Sequence, residues 1–204
     1  MGFLLAVSRA IDALNRAVGH TVYWLILAAV LVSAGNAVLR YLFNLSSNAW
    51  LELQWYLFSA VFLLAAGYAL LHNEHVRIDV IFGHLPPRLR AWIDIIGGIF
   101  FLLPMAVMIL VLSWPTFVDS YKLTEYSSDA GGLLRWPVKL LIPAGFLLLA
   151  LQGVSEIIKR IAFLLGRIPD PLERHHEPVA EEQLPKELLS REPLSKEPLG
   201  DPLS

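Results

Sequence analysis

The sequence predicts an all-α integral membrane fold: four transmembrane helices, preceded by an amphipathic N-terminal helix and followed by a disordered tail. Three observations carry this expectation. Four mostly apolar runs occupy positions 22–43, 50–71, 91–112 and 140–165, each about the 20 residues that a bilayer-spanning helix needs. Aromatic residues flank them as interfacial anchors: Tyr23 and Trp24, Trp50 and Trp55, Trp92, Trp114 and Trp136. Charged residues make up 17% of the chain, against about 25% in soluble domains, too few to give four such helices a polar face.

Ahead of the first span, in residues 1–19, Leu4, Val7, Ile11, Leu14 and Val18 recur at alternating steps of three and four. Arg9, Asp12 and Arg16 fall between them, so this stretch reads as an amphipathic helix, lying in the membrane interface or simply extending the first span. With no basic n-region ahead of its short apolar run, it is expected to be retained rather than cleaved. Residues 20–168 form the membrane domain. In the first span Ala29, Ser33 and Ala37 make a ridge of small residues that permits close helix approach, and Pro104 is expected to kink the third span.

Residues 169–204 differ in character. They hold nine Asp/Glu and four Lys/Arg, a net of −5, whereas residues 1–168 hold nine and twelve, a net of +3. Recurrent prolines in repeats such as Arg191-Glu-Pro-Leu-Ser block helix propagation, and sparse apolar content cannot offset ordering entropy. This tail is expected to be disordered.

Basic residues in the short loops set the orientation. Arg9, Arg16, Arg77, Arg88, Arg90, Lys159, Arg160 and Arg167 collect on one side, and Arg40, Lys122, Arg135 and Lys139 on the other. The excess places both termini in the cytoplasm, with the 113–137 loop outside and the 72–90 loop inside.

A search for chemistry is mostly exclusion. The chain has no cysteine, which removes thiolate metal sites and Cys nucleophiles. His72 and His75 lack the i, i+4 spacing of a helical zinc-protease motif. A membrane haem needs histidines deep within the spans, yet His20, His72, His75 and His84 lie at helix ends or in loops, and His175 and His176 lie in the tail. No phosphate loop, nucleophile elbow or paired carboxylates occur. The reading is of a non-catalytic chain with no metal, no cofactor and no nucleic-acid partner.

Ionisable residues inside spans are functional candidates by default. Here they are Arg40, Glu52, Asp94 and Glu156, each near a span end and each with a structural partner to hand. Arg40 and Glu52 flank one turn, Glu156 and Arg160 stand at i, i+4, and Asp94 follows Arg90 at that same spacing. A buried Glu52 needs a donor, either Arg40 or a group on another subunit. Near the midplane only Ser33, Asn36, Ser59 and Gln152 are polar, too little for a proton relay or a self-contained ion-coupled site. The broken-helix pairs of secondary transporters are missing. Trp50, Trp55, Tyr56 and Phe58 fall on more than one face of the second span, so some meet lipid or a partner chain.

Several segments in order resemble a known family. The second span opens with Trp50-Leu-Glu52-Leu-Gln and leads to His75-Val-Arg77-Ile-Asp79, followed by Leu85-Pro-Pro-Arg88 and Trp92. The external loop carries Glu125-Tyr-Ser127-Ser128, Gly132-Leu and Trp136-Pro137-Val-Lys139. The fourth span holds Ile142-Pro143-Ala-Gly145-Phe and Leu151-Gln152. From about residue 10 to residue 165 this set resembles the small membrane subunit (DctQ-type) of tripartite ATP-independent periplasmic (TRAP) transporters.

The resemblance implies an assembly in a bacterial inner membrane. A periplasmic substrate-binding protein captures a carboxylated organic solute, and a large multi-span permease subunit moves it by a sodium-driven, elevator-like symport. The small subunit braces that permease within the membrane lipid. Glu52, Trp55, Arg40, Arg77, Asp79, Trp136 and Lys139 are the candidate structural or subunit-contact residues. Three other readings are a redox-complex membrane anchor, a stand-alone multidrug-type transporter and a membrane enzyme. Histidine placement disfavours the first, the lack of a carboxylate in 22–43 the second, and the lack of any catalytic constellation the third.

Overall fold

The computed structural model describes residues 2–44, 47–73 and 85–169. Arg77, Asp79 and the tail beyond residue 169 lie outside them. The described residues are helical apart from their connections, and four helical rods are long and apolar enough to cross a membrane. The rods are α1 (Gly2–Phe43), α2 (Asn48–Leu71), a composite third rod and α5 (Trp136–Leu164). The third rod runs from α3 (Pro87–Gly97) through a π-helical turn (Gly98–Leu102) into α4 (Leu103–Lys122).

The expected amphipathic N-terminal helix is present, and it continues into the first span as one helix of 42 residues. At about 1.5 Å per residue that is roughly 63 Å, twice the hydrocarbon thickness of about 30 Å. Its apolar stripe does not face the protein. Leu4 and Leu14 are exposed, and Val7, Ile11 and Val18 only half-buried. The buried face is instead Ser8, Asn15, Gly19 and Val22. Lipid tails are as apolar as leucine, so burying an apolar stripe against another helix gains little; small and polar residues do the packing.

The same inversion holds throughout. Among the described residues, five of the ten buried hydrophobic residues are alanines, while Phe58, Phe62, Phe100 and Phe101 lie outside. Central helix α5 packs on α1, α2, α3 and α4. It approaches α2 so closely at Gly145 that an added Cβ would stand 2.7 Å from the Leu63 carbonyl oxygen. At Gly19 the Tyr68 ring of α2 fills the space of a side chain, at 2.1 Å from such a Cβ.

The predicted irregularity at Pro104 takes the form of the π turn. Proline lacks an N–H and its ring crowds the carbonyl four residues back. Widening the preceding turn, with the Leu103 N–H bonded to the Gly98 carbonyl, relieves that crowding.

Candidate functional site

The connection between α4 and α5 folds into a small clasp over the start of α2. Leu123 ends α4, and Thr124 turns the chain with φ of +48°. Ser127 N–H bonds the Leu133 carbonyl at 2.9 Å, Arg135 N–H bonds the Glu125 carbonyl at 2.9 Å, and Tyr126 bridges Leu134 in antiparallel fashion. Gly131, at φ +75°, makes the reversal.

Helix α2 receives this loop on one stripe, since residues four apart share a face. Asn48 donates to the Ala130 carbonyl at 3.1 Å, and the Tyr56 hydroxyl donates to the Leu134 carbonyl at 3.1 Å. Between them the Glu52 side chain, only 4% exposed, takes the Leu133 N–H at 2.6 Å and the Ser127 hydroxyl. One carboxylate thus satisfies two donors of the loop through charge-assisted hydrogen bonds. Gly132 fits beside them because its missing Cβ would lie 2.4 Å from Ser127 Cβ.

This corrects the expected donor of Glu52. Arg40, near the end of α1, is exposed and makes no ion pair among the described residues. A turn shared in sequence does not bring its guanidinium to the α2 stripe.

The far end of the clasp is fastened to α5. Lys139 Nζ bonds Glu125, and Arg135 stands 3.8 Å from the same carboxylate. The Lys139 hydrogen bond holds the Glu125 carboxyl below the usual carboxylate range, and the nearby Arg135 charge adds to it. Trp136 meets Tyr121 edge-on, with ring centroids 5.5 Å apart. Trp55 packs edge-on against Tyr56 but is 47% exposed, outside the clasp. Of the predicted set, then, Glu52, Trp136 and Lys139 are brought together, Trp55 borders them, and Arg40 stands apart.

At the opposite end of the bundle lies a buried polar layer that the sequence reading did not assemble. Gln152, fully buried, accepts from Asn15 Nδ2 at 2.9 Å and donates to Asp12 at 2.9 Å and to Glu156 at 3.1 Å. Ser155 donates to Asp12 at 2.7 Å; its one proton spent there, the Ser8 hydroxyl at 2.7 Å is the donor to Ser155. Lys159 reaches both Asp12, at 3.3 Å, and Glu156. Next to this layer the buried Arg160 pairs with Asp94 of α3 at 3.1 Å.

One expected pairing is corrected here. Glu156 pairs with Lys159 rather than Arg160, because Arg160 points across the helix interface to Asp94. A sequence signal for the layer existed: Ser8, Asp12 and Asn15 are spaced four and three apart, a polar stripe at helical period. The apolar stripe beside it was the stronger pattern and masked it.

Chemically, both polar ends fasten helices to each other. The described histidines are turned to their own helices, with His20 Nδ1 2.7 Å from the Arg16 carbonyl and His72 Nδ1 3.1 Å from that of Tyr68. Among the described residues no group of three or more His, Cys, Asp or Glu is placed to hold a metal ion.

Residues 29–163 match the family described as tripartite ATP-independent periplasmic transporters, DctQ component. No curated protein and no solved structure gives a match.

Proposed function

The chain belongs to the DctQ component family of tripartite ATP-independent periplasmic transporters, and from that premise we propose that it is the brace of the transporter's membrane unit. It is a small, membrane-embedded transporter subunit. In the proposed reading it binds the large multi-span permease subunit stably and carries out no catalysis. The permease moves a carboxylated organic solute delivered by a periplasmic binding protein, and a sodium gradient drives the uptake.

The observation that carries this reading is the inverted packing. The four rods meet through alanine, glycine and buried polar groups, while Trp50, Trp55, Phe58, Phe62, Phe100 and Phe101 face outward. A bundle held from inside by directional bonds keeps its shape while its apolar exterior is free to meet a partner or lipid. The polar layer around Gln152 is cross-linked by its own side chains on α1 and α5, which suits a rigid element better than an ion pathway.

The proposed setting is a bacterial inner membrane with both termini in the cytoplasm. Supporting this is the basic excess on the side where α1 begins and α5 ends. A reporter fused near Asp129 should be active only if exported, and export failure there would reverse the orientation. An affinity-tagged chain, co-expressed with its permease subunit and purified in mild detergent, should retain that subunit through gel filtration. Recovery of the chain alone under those conditions would contradict stable bracing.

A further inference from the structure

Between α1 and α2, on the half of the bundle that carries the clasp, an open groove runs in two joined parts. The larger part, of about 760 Å³, is lined by Ile26, Val30, Leu51, Trp55, Phe58 and Val61. It shares Ser33 and Gln54 with a second part of about 620 Å³, whose walls are Asn36, Arg40, Tyr41 and Asn44. The small residues Ala29 and Ser33 give the groove its depth, since the ridge they belong to is not closed by another helix.

The two parts differ sharply in chemistry. The apolar trough presents aliphatic side chains and aromatic rings. The head holds one guanidinium with amide and phenol groups, and none of the Asn36, Arg40, Tyr41, Asn44 or Gln54 side chains makes a hydrogen bond or ion pair among the described residues. Arg40 lies three residues before the end of α1, the height at which a long basic side chain reaches the membrane–water interface. A cation there, beside hydrogen-bonding groups and above an apolar trough, repeats the polarity gradient of a phospholipid.

We propose that this groove is a binding site for one anionic phospholipid, its phosphate paired with Arg40 and one acyl chain lying in the trough against Trp55 and Phe58. Arg supplies the fork of donors that matches phosphate oxygens. Asn36, Gln54, Tyr41 and Asn44 are available to the glycerol and ester oxygens. A partner helix entering the same groove would bring apolar side chains to the level of Arg40, unless it carried an acid at that height. Charge complementarity therefore favours the lipid. The inference does not rest on the bracing role, since it concerns this chain's own surface.

The test uses the full chain in vesicles of equal parts phosphatidylglycerol and phosphatidylethanolamine, extracted in mild detergent and read by native mass spectrometry for retained lipid. The wild-type chain should retain phosphatidylglycerol in preference to phosphatidylethanolamine. Arg40→Gln should lower that retention by about fivefold, the consequence of removing one basic residue at a membrane surface, and Arg40→Lys should restore most of it. Ala29→Phe, which fills the trough, should lower retention of both lipids, and its monodispersity in gel filtration checks folding. Equal retention of the two lipids by the wild-type chain would overturn the proposal. So would unchanged phosphatidylglycerol retention in Arg40→Gln. Loss of the co-purified permease subunit in Arg40→Gln, with lipid retention unchanged, would assign the groove to a protein partner instead.

Discussion

Replacing Glu52 by alanine should open the clasp between α2 and the 123–135 loop while leaving the four rods in place. The carboxylate holds the Leu133 N–H and the Ser127 hydroxyl together, and both donors lose their acceptor at once. An unmet buried donor costs more than the mean value of a hydrogen bond, and bonds to charged groups are the stronger kind. The natural chain has no cysteine, so a single Leu134→Cys reports on the loop without background. Its thiol-labelling rate should rise by about tenfold or more when Glu52→Ala is added, the population change that one lost charge-assisted bond produces. Glu52→Gln should give a smaller rise, because its amide oxygen still accepts one bond while its NH2 faces the other donor. Equal labelling in all three backgrounds would mean that Asn48, Tyr56 and the Glu125–Lys139 pair hold the loop without Glu52.

A larger loss of stability is expected at Gly145. Any side chain there must displace the α2 backbone, since the Leu63 carbonyl oxygen lies 2.7 Å from the position of an added Cβ. Backbone at a helix–helix contact has no rotamer by which to give way. Gly145→Val should therefore cost about 3 kcal/mol, the upper range for overpacking a filled interior. In mild detergent that should lower the apparent melting temperature by roughly 6–12 °C for a chain of this size. Gly35→Ala is the control, because nothing stands within 4 Å of its added Cβ and alanine favours a helix interior by about 1 kcal/mol. Equal melting temperatures for Gly145→Val and the natural chain would show that α2 and α5 are not locked at this contact.

The spans were legible in the sequence because a membrane helix announces itself by length and apolarity, properties that need no knowledge of neighbours. Glu52 was legible for a related reason: a carboxylate in an apolar run must find a donor. Which donor was not. One of its two partners is a backbone N–H 81 residues away, and a backbone amide leaves no mark in the sequence. Arg40 was the nearest cation along the chain, but proximity in sequence across a turn does not fix the direction of a long side chain.

The N-terminal half of α1 shows a second kind of loss. Two stripes share its helical period, the apolar Leu4, Val7, Ile11, Leu14 and Val18, and the polar Ser8, Asp12 and Asn15 continuing to Gly19 and Val22. A rule drawn from soluble proteins buries the first. In a bilayer the second is buried, where Asp12, Asn15 and Ser8 meet Gln152 and Ser155. The choice depends on the solvent around the bundle rather than on the pattern itself. Arg160 follows the same logic: the local i, i+4 partner Glu156 was visible in one dimension, and the cross-helix partner Asp94 was not.

The bracing role is tested most directly by uptake into sealed vesicles that hold this chain, the permease subunit, or both, with the substrate-binding protein, its solute and a sodium gradient supplied outside. Uptake is expected only when both membrane subunits are present, and the chain alone should behave as empty vesicles do. Solute accumulation by the chain alone, or full uptake by the permease subunit without it, would contradict that role.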